Sequence, residues 1–239
     1  MKNKILAVLA QAHLNIDSER THAGRNGAYP HPMTLEESIQ QADGIKHQVW
    51  EILEGPIIIT DIRTQLALEY MTIALEHHDS IVLLTTHHLR GSALTLVRPI
   101  FEVLYKAAWV LTTATDQQVE KIKNGKFDFP NTGTIVADID KVIPGGFFQQ
   151  AKKLSWSDQN QFTHSGKLLR IGRFTGNDLQ ANYPDEMMVI QINVSLMAAL
   201  IIVVLFMDTH NRPDDAKRIG ALMPSLDIGQ ATSPSGPKE

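Results

Sequence analysis

The chain of 239 residues contains no cysteine. That excludes disulfides, thiolate zinc sites and a cysteine nucleophile, and it fits a reducing compartment such as the cytoplasm. There is no excess of positive charge either: 22 Lys and Arg face 26 Asp and Glu, for a net charge of −4. A nucleic-acid contact must therefore come from a local basic patch. HExxH, a phosphate-binding glycine loop, a nucleophile elbow and a dinucleotide fingerprint are all missing, so no cofactor is expected. No internal repeat is visible. What the chain does have is apolar residues, 43% hydrophobic against 20% charged. That is enough for the core of one large domain with appendages.

The opening MKNKILAVLAQAHL has the lysines and short apolar run of a signal peptide. No small-residue cleavage site follows, and the stretch is expected to be an amphipathic helix. AGRNGAYPHPM (23–33) is a loop by its glycines and prolines. Thr34 with Glu37 predicts a capping box and a helix running to Gly55-Pro56, with Ile39, Ile45, Val49 and Ile52 on one side. Thr60 or Asp61 caps a helix expected over 61–88. The next helix, about Ser92 to Ala114, contains Pro99. Its ring presses on the Thr95 carbonyl four residues earlier, so a kink or restart is expected at Leu96 to Arg98. Shorter helices are expected in DQQVEKIK, in GTIVADIDKVI and from Phe147 to Phe162, followed by an irregular crossing from Lys167 to Pro184. Met187 to Met207 carries no charge over 21 residues, a length that spans a bilayer. However, Gln191, Asn193 and Ser195 interrupt it, and Asp185, Glu186 and Asp208 flank it. A helix apolar on all sides is also what the centre of a bundle requires, so a buried core helix and no membrane contact are expected. The fold class is all-α, with four or five long helices in a bundle. Residues 1–55 form an N-terminal helical extension in this reading, 56–224 the bundle, and 225–239 a disordered tail rich in Gly, Ser and Pro.

Arg98 and Glu102 stand four apart in a strongly apolar helix, on the face that Tyr105 and Trp109 extend. They form either a structural ion pair or the lining of a working pocket with Tyr105 and Trp109 as binding groups. FTHSGKLLRIGR gathers His164, Lys167, Arg170 and Arg173, the densest basic cluster in the chain. Histidine shuttles protons near neutral pH, and lysine and arginine hold phosphates; the same spacing also describes a solvated helix face. His77 and His88 share a helical face but stand about 16 Å apart at 1.5 Å per residue, too far for one metal ion. The one Glu-x-x-His pair, Glu19 with His22, falls at a loop edge. A metal site would need several helices, with Glu102 and His164 as donors, and none is expected.

Three stretches, HHLRGSALTLVRPIFEVLYKAAWV, FTHSG and MMVIQINVSLMAALI, together resemble an uncharacterised family of bacterial helical proteins. Its pattern is a GSALxLxRPxFE helix, a tryptophan a turn or two later, and a THxG segment ahead of an arginine-bearing stretch. The likeness covers about residues 60 to 210. Such proteins are similar to the HEPN group of helical bundles, many of which are ribonucleases of toxin–antitoxin and phage-defence systems. The resemblance implies a HEPN-like homodimer and a metal-independent ribonuclease or defence effector acting on RNA. Its site would be Arg98, Glu102 and His164 brought together from separate helices, with Lys167, Arg170 and Arg173 binding phosphate. The usual HEPN motif sets Arg and His a few residues apart at a helix; its nearest match here, Arg25 with His31, lies in the glycine- and proline-rich loop. The alternative is a non-catalytic module that binds a partner protein, a nucleotide or a small ligand.

Overall fold

A computed structural model describes residues 33–55, 57–143, 145–175, 178–179 and 181–223. The expected first helix, Glu19 with His22, Arg25 with His31, and the tail from 225 lie outside the described residues. Among those described, the chain is all-α, with ten helices and one two-stranded ribbon.

Helix α1 (Leu35–Leu53) starts at the expected capping box. The Thr34 side chain accepts from the Glu37 N–H, and the Glu37 carboxylate accepts from the Thr34 N–H at 2.8 Å. Helix α2 (Ile62–Thr86) is capped by Asp61, whose carboxylate accepts from the Thr64 N–H at 2.8 Å. Helices α3 (Arg90–Thr95) and α4 (Val97–Thr112) meet at Leu96, so the expected interruption ahead of Pro99 is a restart. Pro99 then lies in the first turn of α4, where a missing N–H costs little. Next come α5 (Asp116–Lys123), α6 (Thr132–Val142), α7 (Phe147–Thr163) and α8 (Lys167–Ile171). Strands β1 (Phe174–Thr175) and β2 (Asp178–Leu179) pair antiparallel within the irregular crossing. Helices α9 (Asp185–Thr209) and α10 (Pro213–Gly220) complete the described chain.

Five helices of 16 residues or more form the bundle: α1, α2, α4, α7 and α9. The alternation in IQINVSL loses to the length of its apolar run, and the whole segment is helical. Helix α9 sits among α1, α2, α4 and α10. It is long and apolar enough to cross a membrane, yet 83% of its most apolar window is buried in the protein. Two of its polar interruptions, Asn193 and Ser195, have partners there. The Ser38 hydroxyl donates to the Asn193 side-chain oxygen at 3.1 Å, and His78 Nδ1 meets Ser195 Oγ at 2.8 Å. Burial holds the His78 imidazole at about 4, well below its ordinary 6.5, with Asp79 opposing and Lys46 adding slightly.

Candidate functional site

The site begins with what proline cannot do. Pro99 has no N–H to give the Thr95 carbonyl. That carbonyl instead accepts from Thr163 Oγ1 at 3.3 Å, which pins the end of α7 beside the α3–α4 restart. The segment THSG is itself a helix stop. His164 is the C-cap, Ser165 takes a left-handed backbone with φ of 52°, and the Gly166 N–H donates to the Gln161 carbonyl at 2.7 Å. The left-handed residue and the Gly166 bond are those of a Schellman turn, here with serine in the position that glycine usually fills. A Cβ at Gly166 would meet Gln161, whose side-chain oxygen caps the Lys167 N–H at 2.8 Å.

This turn delivers His164 to Arg98. Arg98 Nε donates to Glu102 Oε1 at 2.8 Å, and its Nη1 donates to His164 Nε2. The guanidinium carbon lies 4.8 Å from the centre of the Trp156 ring, a cation–π contact. Arginine is only a donor, so Nε2 is the acceptor and the neutral ring carries its proton on Nδ1. The Arg98 side chain is 18% exposed and that of Glu102 35% exposed, while His164 is open to solvent. The ion pair is half-wet, worth under about 1 kcal/mol by itself. Its main consequence is geometric: Glu102 and Trp156 hold the guanidinium plane, and the guanidinium holds the imidazole.

Lys167, Arg170 and Arg173 continue outward from this turn, all exposed. The Arg173 guanidinium lies where a Cβ on Gly91 would meet it at 2.9 Å, beside the Tyr183 hydroxyl. Tyr183 is the local anchor. Its hydroxyl donates to the Leu169 carbonyl at 2.8 Å, and its own carbonyl accepts from Arg90 at 2.6 Å. Arg90 also pairs with Asp185 at 2.6 Å. Burial raises the Tyr183 phenol, with Arg173 opposing. Gly172 is required here, because a Cβ on it would collide with the Tyr183 ring edge at Cε1 and come within 2.8 Å of Cδ1 and Cζ.

Arg98 thus reaches both Glu102 and His164, with Lys167, Arg170 and Arg173 on the adjoining strip. Tyr105 and Trp109 are not part of that open surface. They are 1% and 2% exposed and point into the core. Tyr105 packs on Trp156 at 6.2 Å between ring centres, and Trp109 stacks on Phe127 at 6.0 Å. Neither the Tyr105 hydroxyl nor Trp109 Nε1 has a hydrogen-bond partner among the described residues. Burial, with Asp140 nearby, pushes the Tyr105 phenol far up. Their helical register matches that of Arg98, but the face they extend is the buried one. Trp156, Thr163, Arg90 and Tyr183 carry the site without a motif to announce them; the one sequence signal was the freed Thr95 carbonyl. Among the described residues no group of three or more His, Asp or Glu could hold a metal ion.

A concavity of about 430 Å³ lies away from this surface, at the start of α2, bordered by Ile57, Asp61, Thr64, Phe206, His210 and Arg212. His210 Nε2 meets Thr64 Oγ1 at 2.8 Å, and Thr64 Oγ1 donates to Asp61 at 2.9 Å. These contacts tie the start of α2 to the end of α9.

Residues 71–221 match the model of a protein family described as a family of unknown function (DUF6988). No curated protein and no solved structure matches the chain. The matched segment contains every residue of the Arg98–His164 site and excludes α1.

Proposed function

This chain belongs to the DUF6988 family, and we propose that its Arg98–His164 face binds RNA and cleaves the phosphodiester backbone with side chains alone. The observation that carries this reading is the hydrogen bond from Arg98 Nη1 to His164 Nε2 at a solvent-open surface. It places a base and a phosphate-binding cation side by side. On binding, Arg98 Nη1 turns from the imidazole to a phosphate oxygen, which frees Nε2. His164 then takes the ribose 2′-hydroxyl proton, O2′ bonds to phosphorus, and the bond to O5′ breaks. The imidazolium returns its proton to the leaving O5′. The products are a 2′,3′-cyclic phosphate and a 5′-hydroxyl end. Arg98, with Lys167, Arg170 and Arg173 behind it, offsets the charge that builds on the phosphorane. Glu102 keeps Arg98 in place and does not touch substrate. The RPxFE and THxG segments resemble an uncharacterised helical family that is itself similar to HEPN-type bundles, and that indirect likeness supports the same chemistry.

The test is cleavage of labelled RNA in EDTA by the wild type, His164→Ala and Arg98→Ala. The expected result is a loss of about 100-fold or more for His164→Ala. Equal cleavage by wild type and His164→Ala, or none by either, removes the reading.

A second reading is a non-catalytic binding module. It is favoured by the engagement of Arg98 with Glu102, His164 and Trp156, a set that also serves as architecture. In that case Arg98→Ala lowers stability and His164→Ala changes no reaction.

A further inference from the structure

The strip that leaves the site has a second chemical character. Arg170, Ile171, Arg173 and Phe174 fall within five consecutive residues, and all are exposed. Ile171 is 53% exposed, Phe174 52% and Leu179 77%. Phe174 and Leu179 are direct partners across the ribbon, so their side chains share one face, while Asp178 belongs to the other. The ribbon's base is anchored: the Asn182 N–H donates to the Gly172 carbonyl at 2.7 Å. Arg173 lies against Gly91, and Thr163 against Thr95. Gly91 and Thr95 are one turn apart on α3, about 6 Å by the helical rise. Arg173 and the His164 turn therefore flank the same edge of α3.

A single exposed aromatic residue needs no explanation. One set between arginines, with an apolar neighbour across the ribbon, on a strip continuous with a phosphate-binding pair, fits a ligand that alternates anions with flat apolar faces. Unpaired RNA has both, whereas a duplex hides its base faces. An anionic lipid surface shares the charge and the apolar layer, but makes no use of the Arg98–His164 end of the strip.

We infer that Phe174, backed by Leu179, is a stacking platform for an unpaired base, with Arg170 and Arg173 holding the flanking phosphates. The inference rests on the RNA reading and specifies single-stranded substrate for it.

The experiment uses the full chain and a short fluorescent oligonucleotide made wholly of 2′-O-methyl nucleotides, which lacks the attacking hydroxyl. Binding is read by anisotropy, so a failure of the cleavage chemistry leaves this test intact. The wild type should bind the single strand more tightly than the same sequence in a duplex. Phe174→Ala should weaken single-strand binding about five-fold or more, and Phe174→Trp should retain it. Loss of binding in Arg98→Ala with wild-type binding in Phe174→Ala would overturn the platform and leave the RNA reading standing. Equal affinity for strand and duplex overturns it as well. No oligonucleotide binding by the wild type sinks both readings. Phe174-dependent binding to phosphatidylserine vesicles in place of the oligonucleotide assigns the face to a lipid surface and overturns the inference.

Discussion

Arg98 reaches His164 across 66 positions of sequence and fixes which ring nitrogen of that histidine carries the proton. The contact has a spectroscopic consequence that does not depend on any activity. Nitrogen shifts of His164 should report the Nδ1–H tautomer in the wild type near pH 8. In Arg98→Ala the ring should revert to the mixture of an ordinary exposed histidine. Glu102→Gln should show a partial reversion, since Arg98 keeps Trp156 but loses its ion pair. An Nε2–H ring in the wild type would contradict the assigned donor.

Pro99 and Thr163 act on the site through the Thr95 carbonyl. Thr163→Val deletes the hydrogen bond to that carbonyl at a cost of about 1 kcal/mol. Pro99→Ala supplies an N–H that competes for it within the helix. Both variants should unseat the α7 end from α3. The expected readout is loss of the His164 tautomer signature. An unchanged signature in both variants would mean that the Schellman turn alone positions His164.

Acid sensitivity should track His78, buried at 2% exposure beside Ser195. Its folded value, about 4, lies below its unfolded 6.5. The unfolded state therefore binds the extra proton first. Stability from keeping this ring neutral is complete above pH 6.5 and drains away as pH falls toward 4, by up to about 3 kcal/mol. Denaturant titrations at pH 7.5 and pH 4.5 should show that loss. In His78→Leu the decline over this window should be shallower, because the titrating ring is gone, while the Ser195 hydroxyl still donates to the Ile192 carbonyl at 2.8 Å and is not left unpartnered. Parallel declines in the two proteins would clear His78 of responsibility.

Gly172→Ala should destabilise the strip by about 1–3 kcal/mol, the usual range for overpacking, because its Cβ meets a rigid ring. Gly91→Ala should cost less, since its nearest obstacle is the movable tip of Arg173. Thermal denaturation of the two variants gives the order directly. A milder effect at Gly172 would show that Tyr183 can step aside.

Much of the architecture was legible in the residues. The capping box at Thr34 and Glu37, the Asp61 cap, the interruption ahead of Pro99 and the uncharged α9 all follow from local chemistry: which side chains satisfy free N–H groups, which backbone lacks one, and how long an apolar run must be to be helical. The direction of a face was less legible. Tyr105 and Trp109 continue the register of Arg98, yet the helix turns them inward, since a register states which residues align and not what lies opposite.

What the sequence determined alone is the class of fold, its helix starts and stops, and the stock of arginine and histidine from which a site could be built. Whether Arg98 faced His164, and which aromatic ring lay beneath the guanidinium, was decided by packing. Those contacts join helices far apart in the chain, and their geometry depends on how α7 seats on the carbonyl that Pro99 leaves free, a meeting that only the assembled bundle brings about.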